Sequence, residues 1–301
     1  MKITPFVLLS YIAICLIWGS TWLVIKIGME SLTPFVSAGA RFMVASLVIY
    51  LVMKIKNIPL VKDKIAMKIY WIMGFFSFLV PFGLVYWGEQ YINSGLASVL
   101  FAVYPFCVGI VAHFSLQDEK FSRVKLIGMV TGFLGIIVIF SDSLRINLNF
   151  YEVAGMAAVL GSALIQSFVV VLIKKEGTHL HPLSMNFVPM AIASVGFLIS
   201  GVLFEDISSN RFDLPGIGSV LFLGLFGSIV TFTIYYWLLK KVSVLLMSLI
   251  AFITPIIALI LGGVVYGEKL TINHLTGSGL VLVGLLISQS ELIRKRKITA
   301  K

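Results

Sequence analysis

Residues 86–140 and 236–288 of this chain are one stretch of sequence written twice. Tyr86–Trp87 is matched by Tyr236–Trp237, Leu96 by Leu246, Ser98 by Ser248 and Pro105 by Pro255, all at an offset of 150. The offset then slips to 149, pairing Glu119–Lys120 with Glu268–Lys269, Gly128 with Gly277 and Gly135 with Gly284. The fronts agree more weakly at 148, with Ile25–Lys26 over Ile173–Lys174 and Pro34 over Pro182. A chain built this way must fold two related units and bury them against each other.

Composition fixes the solvent. Of 301 residues, 59% are hydrophobic and 12% charged, and the mean hydropathy is +1.05. A water-soluble domain carries about 25% charged residues. Ten apolar runs, at roughly 6–28, 34–53, 69–88, 95–114, 124–141, 151–173, 183–204, 216–239, 243–266 and 272–292, have the ~20 residues a helix needs to cross the hydrocarbon core. Barrel strands would need only about 10 residues of alternating polarity. The expected fold is therefore all-α and integral to the membrane, with little chain left for a soluble domain. The first run has one Lys ahead of it and no clear small-residue cleavage site, so it is expected to be a retained helix rather than a signal peptide.

The net charge of +10 reports topology. With the N-terminus in the cytoplasm, eighteen of the 23 Lys and Arg residues fall on cytoplasmic segments, including Lys54, Lys56, Lys62, Lys64, Lys68, Lys120, Arg123, Lys240, Lys241 and the 294–297 cluster. Only Arg145, Arg211 and Lys269 fall on outer loops, with Lys26 and Arg41 in or near helices 1 and 2. This positive-inside pattern predicts both termini in the cytoplasm and a plasma or inner membrane location. It points to lipid headgroups as partners, not to nucleic acid. Cys15 and Cys107 lie inside predicted helices and read as small buried apolar residues rather than a redox pair.

Each copy holds five helices. An odd number forces the second copy to enter the membrane upside down, and charge follows: Gln90–Tyr91 on an outer loop correspond to Lys240–Lys241 on an inner one. The expected architecture is two inverted five-helix repeats, residues 1–146 and 147–301, around a central cavity near the midplane.

Trp18-Gly19-Ser20-Thr21-Trp22 leading to Lys26 resembles the first-helix signature of the EamA branch of the drug/metabolite transporter superfamily. Pro34 with Arg41–Phe42, and the two Pro…(Asp/Gly)-Glu-Lys…Gly stretches, resemble it too, so that the likeness spans nearly the whole chain. The resemblance implies ten helices, both termini inside, and efflux or exchange of small metabolites or amino acids. The second repeat departs at its front, where Gln166 and Val170 stand opposite Trp18 and Trp22, and Pro189 opposite Arg41.

Candidate site residues follow from depth and chemistry. No Asp or Glu falls in the middle of a predicted helix, which argues against a carboxylate proton relay in the pore. The polar and aromatic candidates for a cavity are Trp18, Ser20, Thr21 and Trp22 on helix 1; Tyr86, Trp87 and Gln90 at the end of helix 3; Ser162 and Gln166 on one face of helix 6; and Tyr235 and Trp237 on helix 8. Aromatic faces with a few amides and hydroxyls suit a small amphipathic solute. The Tyr–Trp pairs read first as interfacial belts and only second as cavity lining, while Gln166 reads equally as an interhelical hydrogen-bond donor. Arg41, about 10 Å into helix 2, is shallow enough to snorkel outward, and Lys26 lies near the same face. Both are candidates for an anionic group, or for ion pairs with Glu30 or Glu89. Pro105 and Pro255 predict matched kinks or hinges. Gly128-x-x-x-Gly132 with Gly135, repeated at Gly277 and Gly284, predicts close helix packing, within one chain or across a homodimer.

Enzyme chemistry has no support here: no G-x-S-x-G elbow, H-E-x-x-H pair or P-loop is present. His179-x-His181 lacks a third ligand in sequence, so no metal or other cofactor is expected. The expected function is export of a small organic solute, amino acids or similar, by alternating access. A drug or toxic-amine exporter and a membrane scaffold without flux are the alternatives.

Overall fold

A computed structural model of the chain describes residues 5–115, 123–145, 149–177, 179–239 and 250–299. Glu119, Lys120, Lys240 and Lys241 lie outside the described residues. Ten long helical elements follow one another: α1 Pro5–Gly28, α2 Pro34–Ile55, α3 Lys64–Gly88, α4 Ser94–Ser115, α5 Arg123–Arg145, α6 Phe150–Glu176, α7 Pro182–Phe204, α8 at 214–239, α9 Ile250–Tyr266 and α10 Ile272–Thr299. Among the described residues there is no strand. Among the described residues, seven of the helices are long and apolar enough to cross a membrane, and parts of α9 and α10 form shorter apolar helices.

Large apolar side chains such as Phe6, Leu47, Phe114, Phe168, Leu203 and Val264 are exposed on the helix exteriors. Exposed apolar surface on this scale, on a polytopic helical chain, is surface for lipid.

The packing mirrors the duplication. α2 lies along α7, and α5 along α10, each helix meeting its own counterpart from the other half. α1 is flanked by α8 and α9, while α6 is flanked by α3 and α4. Exchanging the halves turns one triplet into the other. The helix that opens the first half is therefore seated in the second half.

Glycine sets the closest approach. A Cβ on Gly135 would stand 2.5 Å from the Gly277 carbonyl oxygen, and one on Gly128 2.5 Å from the Gly284 carbonyl. The reverse contacts are as tight: Gly277 on the Gly135 carbonyl at 2.6 Å and Gly284 on the Gly128 carbonyl at 2.5 Å. The glycine faces of α5 and α10 thus meet inside one molecule, backbone on backbone.

Helix starts show how the ends are held. Asp63 caps α3 by accepting from the Ala66 amide at 2.8 Å, and Asp213 caps α8 by accepting from Gly216 at 3.0 Å. Thr33 and Asn93, the N-caps of α2 and α4, make no such side-chain bond. Carboxylates from the second half do it for them. Glu205 accepts from the amides of Phe35 (2.8 Å) and Val36 (3.2 Å), and Glu268 from those of Ser94 (2.8 Å) and Gly95 (3.2 Å). Free amides and the helix dipole favour an anion at such a terminus.

Two helices carry π-helical turns in mid-span: Gly74–Leu79 in α3 and Phe222–Val230 in α8. They begin 148 residues apart (222 − 74), the offset of the repeat fronts. Pro81 follows the first and lacks the amide a regular α-turn would use. Pro105 is the second residue of α4 after a break at Ala102–Val103, whereas Pro255 lies inside α9. Pro189 sits buried inside α7.

Candidate functional site

The widened turn of α8 is a convergence point for the first half. Longer i→i+5 turns leave carbonyls poorly matched to the helical ladder, and π-bulges recur at functional sites. Here the Gly227 carbonyl accepts from the Trp18 indole Nε1 at 3.4 Å and from the Thr231 hydroxyl at 2.9 Å. The Ser228 hydroxyl donates to the Leu223 carbonyl at 3.0 Å and accepts from Arg41 Nε at 3.4 Å. Trp18 also packs against Tyr235 and Phe232, with ring centroids 5.4 and 5.6 Å away. The structure thus brings together Trp18 and Tyr235, two of the expected cavity residues, across the boundary between the halves.

The remaining helix 1 candidates are more self-contained. The hydroxyls of Ser20 and Thr21 donate to carbonyls of their own helix, Ile17 at 2.8 Å and Trp18 at 2.7 Å. Trp22 lies 5.5 Å from Phe101, which stacks on Tyr104 beside Pro105. On α6 the Gln166 amide donates to Ser162 at 3.4 Å, and Ser162 is fully buried. Trp237 meets Phe6 edge to face. Trp87 lines an outward-facing apolar groove of about 270 Å³ with Leu84, Phe197 and Ser200. Gln90 is exposed and bonds back to the Trp87 carbonyl. The Tyr86–Trp87 pair is therefore split, one ring inward and one outward.

Arg41 does not reach the surface. It is 3% exposed, its guanidinium 5.3 and 5.0 Å from the ring centroids of Phe42 and Phe82. Rings at this distance offset part of the cost of burying the cation. Nη1 has no hydrogen-bond partner. The last turns of α3 present Phe82 and Tyr86 to it, at i and i+4, Glu89 follows at i+7 just past the helix end, and Ser37 precedes it by one turn of α2. The Tyr86 hydroxyl lies against Arg41 and Ser37 and faces Glu89, without a well-formed hydrogen bond to any of them. Tyr86, Ser37 and Glu89 are each 0% exposed, and the Ser37 hydroxyl and both Glu89 oxygens lack a partner as well.

Glu89 departs most from the sequence reading. It sits one residue beyond α3, as its position suggested, yet it is enclosed in protein. Burial pushes its carboxyl well above the usual carboxylate range; Lys26 and Arg41 oppose that shift and Glu268 adds to it.

Directly beside it lies a latch between the halves. Lys26 Nζ donates to the Ile92 carbonyl at 2.8 Å and stands 3.6 Å from Glu268 Oε1. Glu268 in turn caps α4. Gly267, at φ +67°, makes the left-handed turn that aims it there, a conformation favouring glycine. Asn93 donates to the Lys269 carbonyl at 3.0 Å, Tyr266 bonds Glu30, and Arg211 bonds the Glu30 carbonyl at 2.9 Å. The same end also carries the Glu205 cap and a Thr33–Asn210 contact. Lys26 thus pairs with Glu268, not with Glu30 or Glu89.

Sequence reasoning passed over the π turns, the Arg41–Ser228 contact and the capping role of Glu268. Pro81 in mid-run was a signal for the first π turn. The matched Glu-Lys pair after α4 and α9 was the signal for Glu268.

The model of the EamA-like transporter family matches residues 5–141 and again 153–289. The chain is 29% identical to the uncharacterized transporter YoaV of Bacillus subtilis, over 96% of this chain and 99% of that protein. It is 26% identical to protein PagO of Salmonella typhimurium, over 92% and 89%. It is 27% identical to the uncharacterized inner membrane transporter YedA of Escherichia coli, over 91% and 88%. A crystal structure at 17% identity superposes with a TM-score of 0.66, covering 95% of this chain and 99% of that one. That likeness speaks for the fold.

Proposed function

Because the chain belongs to the EamA-like transporter family and is a multi-pass membrane transporter rather than an enzyme, we propose that it exports a small organic solute by alternating access. Amino acids or similar amphipathic compounds are the substrate class we assign. The observation that carries this reading is the seam at α1 and α8, where Trp18 and Tyr235 meet at a distorted turn between the halves. Aromatic faces with sparse polar groups suit such solutes. The solute path runs between α1, α3, α6 and α8, and the two repeats, residues 1–146 and 147–301, rock about it. The excess of Lys and Arg assigns the end bearing the 56–63 loop to the cytoplasm, with both termini there. The inner membrane is the location this orientation fits, and the relative YedA is named an inner membrane transporter.

Proteoliposomes preloaded with labelled solutes test the reading. The cognate amino acid should leave faster than from protein-free vesicles. Trp18→Phe keeps the ring but removes the indole donor to Gly227. Gln166→Leu removes the amide at the counterpart position. Each should lower flux severalfold at unchanged expression. No flux of any amino acid, nucleoside or amine would sink the carrier reading. Unchanged flux in both variants would remove Trp18 and Gln166 from the path.

The drug or amine exporter reading gains one support, the buried carboxyl of Glu89. Cationic amines moving in preference to amino acids would favour it.

A further inference from the structure

A second polar cluster meets Arg41 beside its contact with the α8 turn, and the transport reading above leaves its combined role unassigned. We propose that Ser37, Arg41, Tyr86 and Glu89 form the subsite for the charged head of a small zwitterion, an α-amino acid or close analogue. Its carboxylate lies on Arg41, Tyr86 and Ser37, and its ammonium on Glu89. This rests on the carrier reading and adds to it the ligand's charge pattern.

The groups are all at most 3% exposed, and each has a polar atom without a protein partner: Ser37 Oγ, Arg41 Nη1, Tyr86 OH and both Glu89 oxygens. Buried polar atoms are almost always paired, so a cluster of unpaired ones needs a reason. A structural ion pair would supply one, but neither Glu89 oxygen reaches the guanidinium within hydrogen-bond distance. Glu89 faces Lys26, Arg41, Tyr86 and Glu268, and Lys26 is already held by Glu268 and the Ile92 carbonyl. What remains is a donor set and a carboxyl held apart in a protein interior. Three donors from two helices, among them one arm of a planar guanidinium, match a carboxylate. A carboxyl one helical turn beyond Tyr86 matches an ammonium on the adjacent carbon. Phe42 and Phe82 lie beside Arg41 and give the same spot an apolar wall.

Selectivity follows from the pairing. A solute with only one of the two charges would leave Arg41 or Glu89 buried and uncompensated, which sites of this kind reject strongly. In this structure the cluster is occluded. The Lys26–Glu268 pair acts electrostatically on Glu89, and its opening is the entry step this proposal implies.

The test is ligand binding to the full-length purified protein, read as a shift in Tm and by competition. Each proteinogenic amino acid is compared with its decarboxylated amine and its deaminated acid. At least one amino acid should stabilise the protein, with both single-charge analogues about tenfold weaker or more, a gap of ~1.4 kcal/mol. Tyr86→Phe and Ser37→Ala change little volume, so they should fold and bind that amino acid several times more weakly. Glu89→Gln should weaken the amino acid and bring the deaminated acid closer to it. Arg41→Lys, which keeps the charge and loses the fork, should weaken both the amino acid and the acid. The proposal falls if the amine binds as well as the amino acid, if Tyr86→Phe and Glu89→Gln leave binding unchanged, or if no amino acid shifts Tm. Flux separates the two readings. Zwitterion-selective binding without flux would keep the subsite and sink the carrier, whereas flux of solutes lacking these charges would do the reverse.

Discussion

Gly135→Leu should abolish the folded protein: no monodisperse peak in detergent and little material in the membrane. At Gly135 even a methyl group would stand 2.5 Å from the Gly277 carbonyl oxygen and 2.8 Å from the Val281 amide nitrogen. Both are backbone atoms of α10, so no side-chain rotation relieves the clash. Overpacking usually costs about 1–3 kcal/mol, and a rigid helix pair lies at the top of that range or above it. A leucine would have to push α5 and α10 apart along their length and would open the Gly128–Gly284 contact as well. Gly135→Ala should give the intermediate result, a lower Tm with folded protein retained. Gly279→Ala is the control, because a Cβ there meets nothing within 4 Å, and it should hold Tm or raise it slightly through helix propensity. A folded, wild-type-stable Gly135→Leu protein would mean that the two helices do not pack through glycine.

Glu268→Gln should release the latch at the end of the molecule opposite the 56–63 loop. Glu268 neutralises Lys26 and receives two amides of α4 from a side chain only 5% exposed. A glutamine keeps one acceptor oxygen but loses the charge and places an amide NH₂ against a helix N-terminus. Hydrogen bonds to charged groups contribute about 1.5–3 kcal/mol, and each 1.4 kcal/mol shifts a population roughly tenfold. The readout is chemical. Ser94 is fully buried beneath Glu268, so a cysteine there should resist a membrane-impermeant maleimide. In the Glu268→Gln background its labelling rate should rise about tenfold or more, while Glu268→Asp, which keeps the charge on a shorter arm, should fall between. Equal labelling in all three would show that this contact does not govern access. Native Cys15 and Cys107 are buried and form no disulfide, so the introduced thiol reports without interference.

The glycine pattern and the latch show how unevenly the chain discloses itself. Gly128, Gly135, Gly277 and Gly284 announced a close contact through their spacing alone, because only glycine lets two helix backbones approach. Spacing does not say which helices face each other, and that required the fold. Glu268 stood out as half of a repeated Glu-Lys pair without any hint of its partner. The amides it caps begin at Ser94, 174 residues away in the chain. Arg41 read as a snorkelling residue because distance along a helix measures depth, whereas enclosure depends on neighbours. Ser228, which holds it, is 187 residues away. Tyr86 and Trp87 looked like one interfacial pair. Adjacent residues on a helix point about 100° apart, so one faces the protein and the other faces outward.

Length, hydropathy and repetition were enough to establish a ten-helix chain of two related halves. Those properties are local or periodic: an apolar run of about 20 residues must span the membrane as a helix whatever its neighbours are. The seating of α1 in the second half, the glycine contact within one chain, the π turns in α3 and α8, and the enclosure of Arg41 and Glu89 came from the folded molecule. Each depends on which distant faces meet. For buried polar groups that meeting settles everything, since the same carboxyl is an ordinary loop acid in water and an unpaired, high-energy group once protein closes over it.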